Sequence, residues 1–222
     1  MLDLRIEPSY TKLPQEIIDG LGAISTTIIA DAMGIFNAMI GVAHFNKPDV
    51  QMVGQALTVK TMPRDNLMFH KAIEIASPGD VIVVETGGDI SRALLGEMMC
   101  MIGKRNRISG YVVDGAIRDA EAIKQIGFPV FAKGVNPGGP FKEGPGQINV
   151  SISCAGVTVN PGDVIVGDND GVVVVPYEQA AKVLKRAKAI YAHEQEMLTQ
   201  IEAGTLDRSW IDETLKRKGL KF

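Results

Sequence analysis

The chain has 222 residues, 45% of them hydrophobic, enough for one sizeable core, and carries a formal net charge of −3 with a pI near 5.7. That balance leaves no broad cationic surface for a phosphate backbone, so nucleic acid is not expected as a partner. Its two cysteines, Cys100 and Cys154, form no CxxC pair, and no apolar run approaches the ~20 residues that cross a bilayer, so the expectation is a soluble cytoplasmic protein with no membrane role.

Residues Leu13 to Gly34 read as two helical pieces, with Pro14 at a helix start, Gly20 and Gly22 as breaks, Ser25 as an N-cap and Gly34 as a C-cap. Asp31 within them is read as a structural carboxylate. A strand over Val53 to Lys60, a helix over Asn66 to Ala76 and a turn feeding a buried strand over Ser77 to Glu85 come next. The hexapeptide PGDVIV closes that unit and returns at Pro161 to Val166, which predicts two similar turn-to-strand units in one sheet system.

Behind Gly87 and Gly88 the chain is expected to turn helical, with its first turn around Leu95 to Met98. A helix start behind a glycine-rich loop seats an anion, because unpaired N–H groups and the positive end of the dipole both favour negative charge. Neither GxGxxG nor a phosphate-loop lysine is present, so a small carboxylate is the better fit. A strand over Gly110 to Val113 leads to Gly115 and then to Arg118 and Asp119, ahead of a helix from Ala120. Ligand groups gather at such strand ends in sheets with crossover helices. Asp119 with waters suits a hard divalent cation, Arg118 suits a carboxylate or enolate oxygen, and Glu97 suits metal-bound water or proton transfer.

A further strand is placed over Gly127 to Ala132. The stretch Gly134 to Gln147 then carries five glycines and three prolines, which excludes a helix or an interior strand and leaves an ordered loop or a mobile cover. A hairpin around Ala155-Gly156 follows, and the DNDG of Asp168 to Gly171 is read as a β-turn in preference to a metal loop. From Tyr177 a long amphipathic helix runs to Gly204, its apolar stripe interrupted by Glu194, and a short helix over Ile211 to Lys218 ends the chain. His44, His70 and His193 show no zinc-site spacing.

The ordered set GGDISRALLGEMM, GYVVDGAIRD, GPFKEGPGQINV and PGDVIVGDNDGVVVVP resembles the family that joins 4-hydroxy-4-methyl-2-oxoglutarate aldolases to the regulator of ribonuclease activity A. The likeness runs from STTIIADAM to the C-terminal helix. It implies an α/β chain with a layered β/β/α fold of the swivelling type, one domain over 1–222 with a core of about 14–176 and a long C-terminal helical extension, assembled as a homotrimer or homohexamer. The aldolase branch is marked by an acidic residue, twenty intervening positions, then Arg-Asp, and Glu97 with Arg118-Asp119 keeps that spacing, with glutamate where its best-known members have aspartate. By resemblance Asp119 binds Mg²⁺ or Mn²⁺, Arg118 binds the pyruvyl group, and the backbone of Gly96, Glu97, Met98 and Met99 receives its carboxylate or keto oxygen. Glu194, or alternatively Glu196, is the acidic residue supplied by a neighbouring subunit. The expected substrate is a small 4-hydroxy-2-keto acid cleaved to pyruvate, with oxaloacetate decarboxylation alongside. The rival reading is a non-catalytic protein that masks a ribonuclease.

Overall fold

Valine- and isoleucine-rich runs buried on both faces set the architecture. The computed structural model describes residues 3–34, 37–47 and 50–222. In chain order it contains β1 (Leu4–Ile6), α1 (Gln15–Gly22), α2 (Thr26–Met33), β2 (Ala43–His44), β3 (Met52–Thr61), α3 (Leu67–Ile75), β4 (Asp80–Glu85), β5 (Ala93–Leu95), α4 (Glu97–Arg105), β6 (Gly110–Ile117), α5 (Ala120–Ile126), β7 (Val130–Val135), β8 (Gly146–Ile148), β9 (Ile152–Cys154), β10 (Val157–Val159), β11 (Val164–Asp168), β12 (Gly171–Val175), α6 (Ala180–Glu202) and α7 (Trp210–Arg217).

Strands β3, β4, β6 and β7 run parallel in that order and are joined by crossovers that contain α3, α4 and α5. Alternate residues sort onto the two faces. Leu57, Val59, Ile82, Val84, Tyr111 and Val113 meet α3, α4 and α5 on one side. Ala56, Val81, Val83 and Val112 meet the β9–β10 hairpin and one face of β11–β12 on the other. The second face of β11–β12, with Val164, Val166, Val173 and Val175, carries α1, α2 and α6. The result is a mixed α/β stack of helices, sheet, a second β layer and helices.

The two PGDVIV copies lie on opposite edges of β3, β4 parallel to it and β11 antiparallel. Their turns are built alike: Asp80 Oδ2 accepts the Ser77 amide at 2.8 Å, and Asp163 Oδ2 accepts the Asn160 amide at 2.8 Å. An aspartate that ties its own turn is favoured where a chain must enter a buried strand without leaving donors unpaired.

Several local expectations change. Gly20 lies inside α1 against Leu184 and does not break it, whereas Gly22, close against Val53, is its last residue and the first helical piece ends there. Ser25 holds the N-cap position of α2 without bonding its amides; Asp168 does so from across the fold, accepting the Thr26 amide at 2.8 Å and its hydroxyl at 2.7 Å. That contact also engages the DNDG carboxylate. The helix expected to start around Leu95 to Met98 begins at Glu97, and Ala93–Leu95 just before it form a short strand beside β6. Strand β6 continues to Ile117, so Gly115 lies within it. The glycine–proline stretch includes the interior strand β8, which pairs with β1 and β3. Gly146 can sit there because a side chain would press on the Lys60 carbonyl and Met68.

Helix α4 lies close on β6 because position 103 has no side chain. A Cβ on Gly103 would collide with the Tyr111 hydroxyl and stand 2.9 Å from Phe128 Cζ. Tyr111 cannot yield: it is fully buried, edge-on to Phe69 and Phe128 at 5.1 and 4.7 Å, and donates to the Met99 carbonyl at 3.1 Å. Gly103→Ala should therefore lower unfolding free energy by about 1–3 kcal/mol in urea titrations, overpacking outweighing the gain of up to about 1 kcal/mol in helix propensity. A neutral or stabilising result would show that α4 does not need this close approach.

Candidate active site

The carboxyl ends of the parallel strands open into a cavity of about 350 Å³, and Arg118 and Asp119 also border a second one of about 330 Å³ with Val135, Asn136 and Pro137. The end of β6 supplies Arg118 and Asp119, the start of α4 supplies Gly96, Met98 and Met99, the start of α3 supplies Asn66 and His70, and the loop after β7 supplies Gly139, Pro140 and Lys142. Leu94, Leu95 and Ile102 add apolar wall.

Asp119 organises the polar end. It holds the N-cap position of α5, where an aspartate ordinarily caps its own helix, yet its side chain makes no such bond. Its Oδ2 instead accepts the first amide of α4, from Glu97, at 3.1 Å. The backbone there is left-handed, with φ 58° and ψ 36°, which is uncommon outside glycine. It is held from both sides, by Arg118 N donating to the Leu95 carbonyl and Ile123 N donating to the Asp119 carbonyl, each at 2.9 Å. Arg118 Nε lies 3.8 Å from Asp119 Oδ2 with both side chains partly exposed, a weak pair that leaves the guanidinium fork for a ligand.

Gly96 is required by crowding. Its backbone is extended, so any residue could adopt it, but a Cβ would collide with Asp119 Oδ2 and stand 3.0 Å from Arg118 Cγ. Beyond Glu97, the amides of Met98 and Met99 belong to the first helical turn and have no intrahelical acceptor. Cavity, dipole end and arginine thus converge on one place suited to a carboxylate or an oxyanion.

Glu97 contributes through its amide; its side chain is exposed and does not line the cavity. Glu194 and Glu196 are not brought to the cavity by this chain. Both lie on the part of α6 beyond Ala187, in which no residue is buried. Among the described residues no three His, Cys, Asp or Glu side chains converge on a point. The Asp119 carboxylate, with waters completing the shell, fits a hard divalent cation that dehydrates reluctantly.

Neither Asn66 nor His70 falls in a sequence motif, and Lys142 stands within GPFKEGPGQINV without a role that the sequence assigns. Burial, then the charge of Lys142, holds the His70 imidazole below its ordinary pKa and keeps it neutral at pH 7. The glycine–proline loop that carries Lys142 is pinned, not a mobile cover: Asp65 Oδ2 accepts the Glu143 and Gly144 amides at 2.6 and 3.0 Å, and Arg92 donates to the Gly139 carbonyl at 2.7 Å.

A family model for RraA-like proteins, described as Aldolase/RraA, matches residues 26–174. The chain belongs to the RraA-like family. It is 45% identical over 181 residues to a Halalkalibacterium halodurans protein provisionally named 4-hydroxy-4-methyl-2-oxoglutarate aldolase, covering 81% of this chain and 86% of that one. A crystal structure of an uncharacterised Pseudomonas syringae protein superposes with a TM-score of 0.81 at 29% identity, covering 90% and 94% of the two chains. A Streptomyces coelicolor protein, described as an unusual member of the RNase ES inhibitor RraA family, superposes with a TM-score of 0.75 at 28% identity, over 86% and 98%. The RraA-like match spans the whole cavity-forming segment, Asn66 to Lys142. No helix among the described residues is long and apolar enough to cross a membrane.

Two measurements check this geometry. Gly96→Ala should move the Glu97 amide resonance and lower unfolding free energy by about 1–2 kcal/mol while circular dichroism stays native, because Asp119 must leave the Glu97 amide; an unmoved Glu97 resonance would contradict the packing. Cys100, raised to about 12 by burial and then by the charges of Asp119 and Glu97, and Cys154, raised chiefly by burial, remain thiols at neutral pH. A thiol reagent at pH 8 should label both only after unfolding, and rapid labelling of the native protein would contradict their burial.

Proposed function

We propose that this RraA-like chain is a divalent-metal-dependent pyruvate aldolase acting on a 4-hydroxy-2-keto acid of the 4-hydroxy-4-methyl-2-oxoglutarate type, with oxaloacetate decarboxylation as a side activity. The observation that carries the proposal is the convergence of the Arg118 guanidinium, the Asp119 carboxylate and the unclaimed amides of Met98 and Met99 in one cavity. The name of the Halalkalibacterium halodurans relative supports the reaction class.

The Met98 and Met99 amides and Arg118 bind the 2-keto acid end of the substrate, the arginine through its planar fork. Asp119, with Glu97 through intervening water, would hold Mg²⁺ or Mn²⁺, which when bound supplies Lewis-acid polarisation of the 2-keto group. Because the Glu97 side chain does not line the cavity, the base that takes the proton of the C4 hydroxyl is assigned to a carboxylate of a second copy, Glu194 or alternatively Glu196. The C3–C4 electron pair then passes into the keto group, releasing the new carbonyl product and leaving pyruvate as its enolate. Arg118 and the helix dipole stabilise the developing negative charge. Protonation at C3 gives pyruvate. Loss of CO₂ from oxaloacetate reaches the same enolate, so one set of stabilising groups serves both reactions.

The protein is proposed to assemble as a homotrimer or homohexamer. Tyr191, Leu198 and Ile201 are exposed on the part of α6 that carries Glu194, an apolar face suited to a neighbouring copy. The second reading, a non-catalytic ribonuclease inhibitor, is favoured by the likeness to the Streptomyces coelicolor structure.

Pyruvate release, coupled to lactate dehydrogenase, decides between them. The wild type should turn over 4-hydroxy-4-methyl-2-oxoglutarate and oxaloacetate only with Mg²⁺ or Mn²⁺, and Asp119→Ala and Arg118→Ala should each lower kcat/KM by about 10²–10³. Metal-independent release, or activity that survives Asp119→Ala, rules the mechanism out; absence of release from both substrates favours the inhibitor.

A further inference from the structure

A row of four charges crosses the carboxyl end of the parallel sheet. Lys60 of β3 stands in register with Glu85 of β4, and Glu85 with Asp114 of β6, while Lys133 of β7 lies beyond Asp114. These residues follow Ala56, Val83, Val112 and Phe131 by two or four positions, so strand alternation puts them on the face that meets the β9–β10 hairpin, away from the helices that line the cavity. Each carboxylate takes the lysine at its own end: Lys60 Nζ lies 3.2 Å from Glu85 Oε1, and Lys133 Nζ lies 2.5 Å from Asp114 Oδ1. Glu85 also accepts the Ser153 amide at 3.2 Å. Asp114 is 5% exposed, and among the described residues no other donor bonds its Oδ1, so Lys133 is the compensating charge of a buried carboxylate.

This buried pair sits on a β-bulge. Val113 is opposite Ala132 and Ala116 is opposite Gly134, so two residues of β6, Asp114 and Gly115, face one residue of β7, Lys133. At the same point β6 changes neighbours, Asp114 making its last pairing with β4 and Ala116 its first with β5. The loop between β4 and β5 packs on the bulge. Gly88 N donates to the Asp114 carbonyl at 3.1 Å, a Cβ on Gly88 would stand 3.1 Å from Lys133 Nζ, and a Cβ on Gly115 would stand 2.7 Å from Thr86 Cγ2. A bulge bends its strand and re-aims the residues that follow. Here those residues are Ile117, Arg118 and Asp119.

We infer that Asp114 and Lys133 are positioning residues that lock the β6 bulge and so set the direction in which Arg118 and Asp119 enter the cavity. Neither residue lines the cavities that Arg118 borders, and four strand positions, about 13 Å, separate Asp114 from Arg118, so the pair acts through the backbone and touches no ligand. The role of Arg118 as a ligand group rests on the proposed function; the lock itself rests on the bulge. Lys60 and Glu85 have the same chemistry but join β3 to β4 where the register does not shift, which makes them an internal control.

Spectra of ¹⁵N-labelled protein without ligand read the lock directly. Lys133→Met should move the Arg118 Nε–H and Glu97 amide resonances, and Lys60→Met should leave both in place. The double variant Asp114→Asn/Lys133→Met strands no buried carboxylate, so it carries the test where Lys133→Met fails to fold, and the two resonances should stay displaced in it. Calorimetry with oxalate and Mg²⁺ should show about tenfold weaker binding in the double variant and wild-type affinity in Lys60→Met, because a small misplacement of a binding group is costly. Resonances that keep their positions in Lys133→Met, that return to them in the double variant, or that move as far in Lys60→Met overturn the inference, as does unchanged oxalate affinity in the double variant. A wild type that binds no oxalate rejects the reading of Arg118 as the seat of the 2-keto acid, and the ligand-free resonances then decide the lock alone.

Discussion

One hydrogen bond between neighbouring crossover units, from the Glu97 amide to Asp119 Oδ2, sets the geometry on which the site depends. It joins the end of β6 to the start of α4, and it exists because Asp119 caps the neighbouring helix instead of its own. The left-handed backbone at Asp119, the missing side chain at Gly96 and the close approach of α4 to Tyr111 at Gly103 each serve that contact. The left-handed conformation costs on the order of 1 kcal/mol for a residue with a Cβ and persists because bonds on both sides over-determine it. Strain held by a rigid surround is a form of pre-organisation: the carboxylate and the guanidinium are already placed when a ligand arrives.

The parallel sheet explains why these groups meet. In a strand–helix–strand unit each helix begins near the carboxyl end of the preceding strand, so the starts of α3, α4 and α5 share one rim. Near Arg118 the amides and guanidinium suit negative charge, beside an apolar wall of Leu94, Ile102 and Pro140. The glycine–proline loop borders the cavity with Gly139 close to the Arg118 guanidinium, and it is held by Asp65, a buried carboxylate that receives amides from both the loop and α3.

Much of this was legible in the sequence where a residue's role is local. The positive-φ glycines at 34, 87 and 88, the PGDVIV turns and the valine runs declare themselves by type and spacing. The Arg118-Asp119 pair and the Gly96–Met99 helix start were likewise found, and the structure brings them to one cavity. What stayed hidden depends on pairing across the fold. Asp168 caps α2 from 142 residues away, so Ser25 looked like the cap. Strand β8 is short and glycine-rich, and it is a strand because β1 and β3 flank it. Asn66 carries no motif, and Lys142 stands in GPFKEGPGQINV without a sign of its place in the cavity; only the fold makes them neighbours. Glu194 is the opposite case, a residue singled out by its interruption of an apolar stripe that this chain alone does not bring to the cavity.

The most direct test of the account is amide spectroscopy with oxalate, a planar mimic of pyruvate enolate, added with Mg²⁺ to ¹⁵N-labelled protein. Shifts concentrated on Met98, Met99 and the Arg118 side-chain Nε–H, and abolished by Asp119→Ala, are the predicted result. Oxalate that binds without perturbing those resonances, or perturbs them equally in the Asp119→Ala variant, would contradict the claim that this cross-capped helix start is the seat of the reacting group.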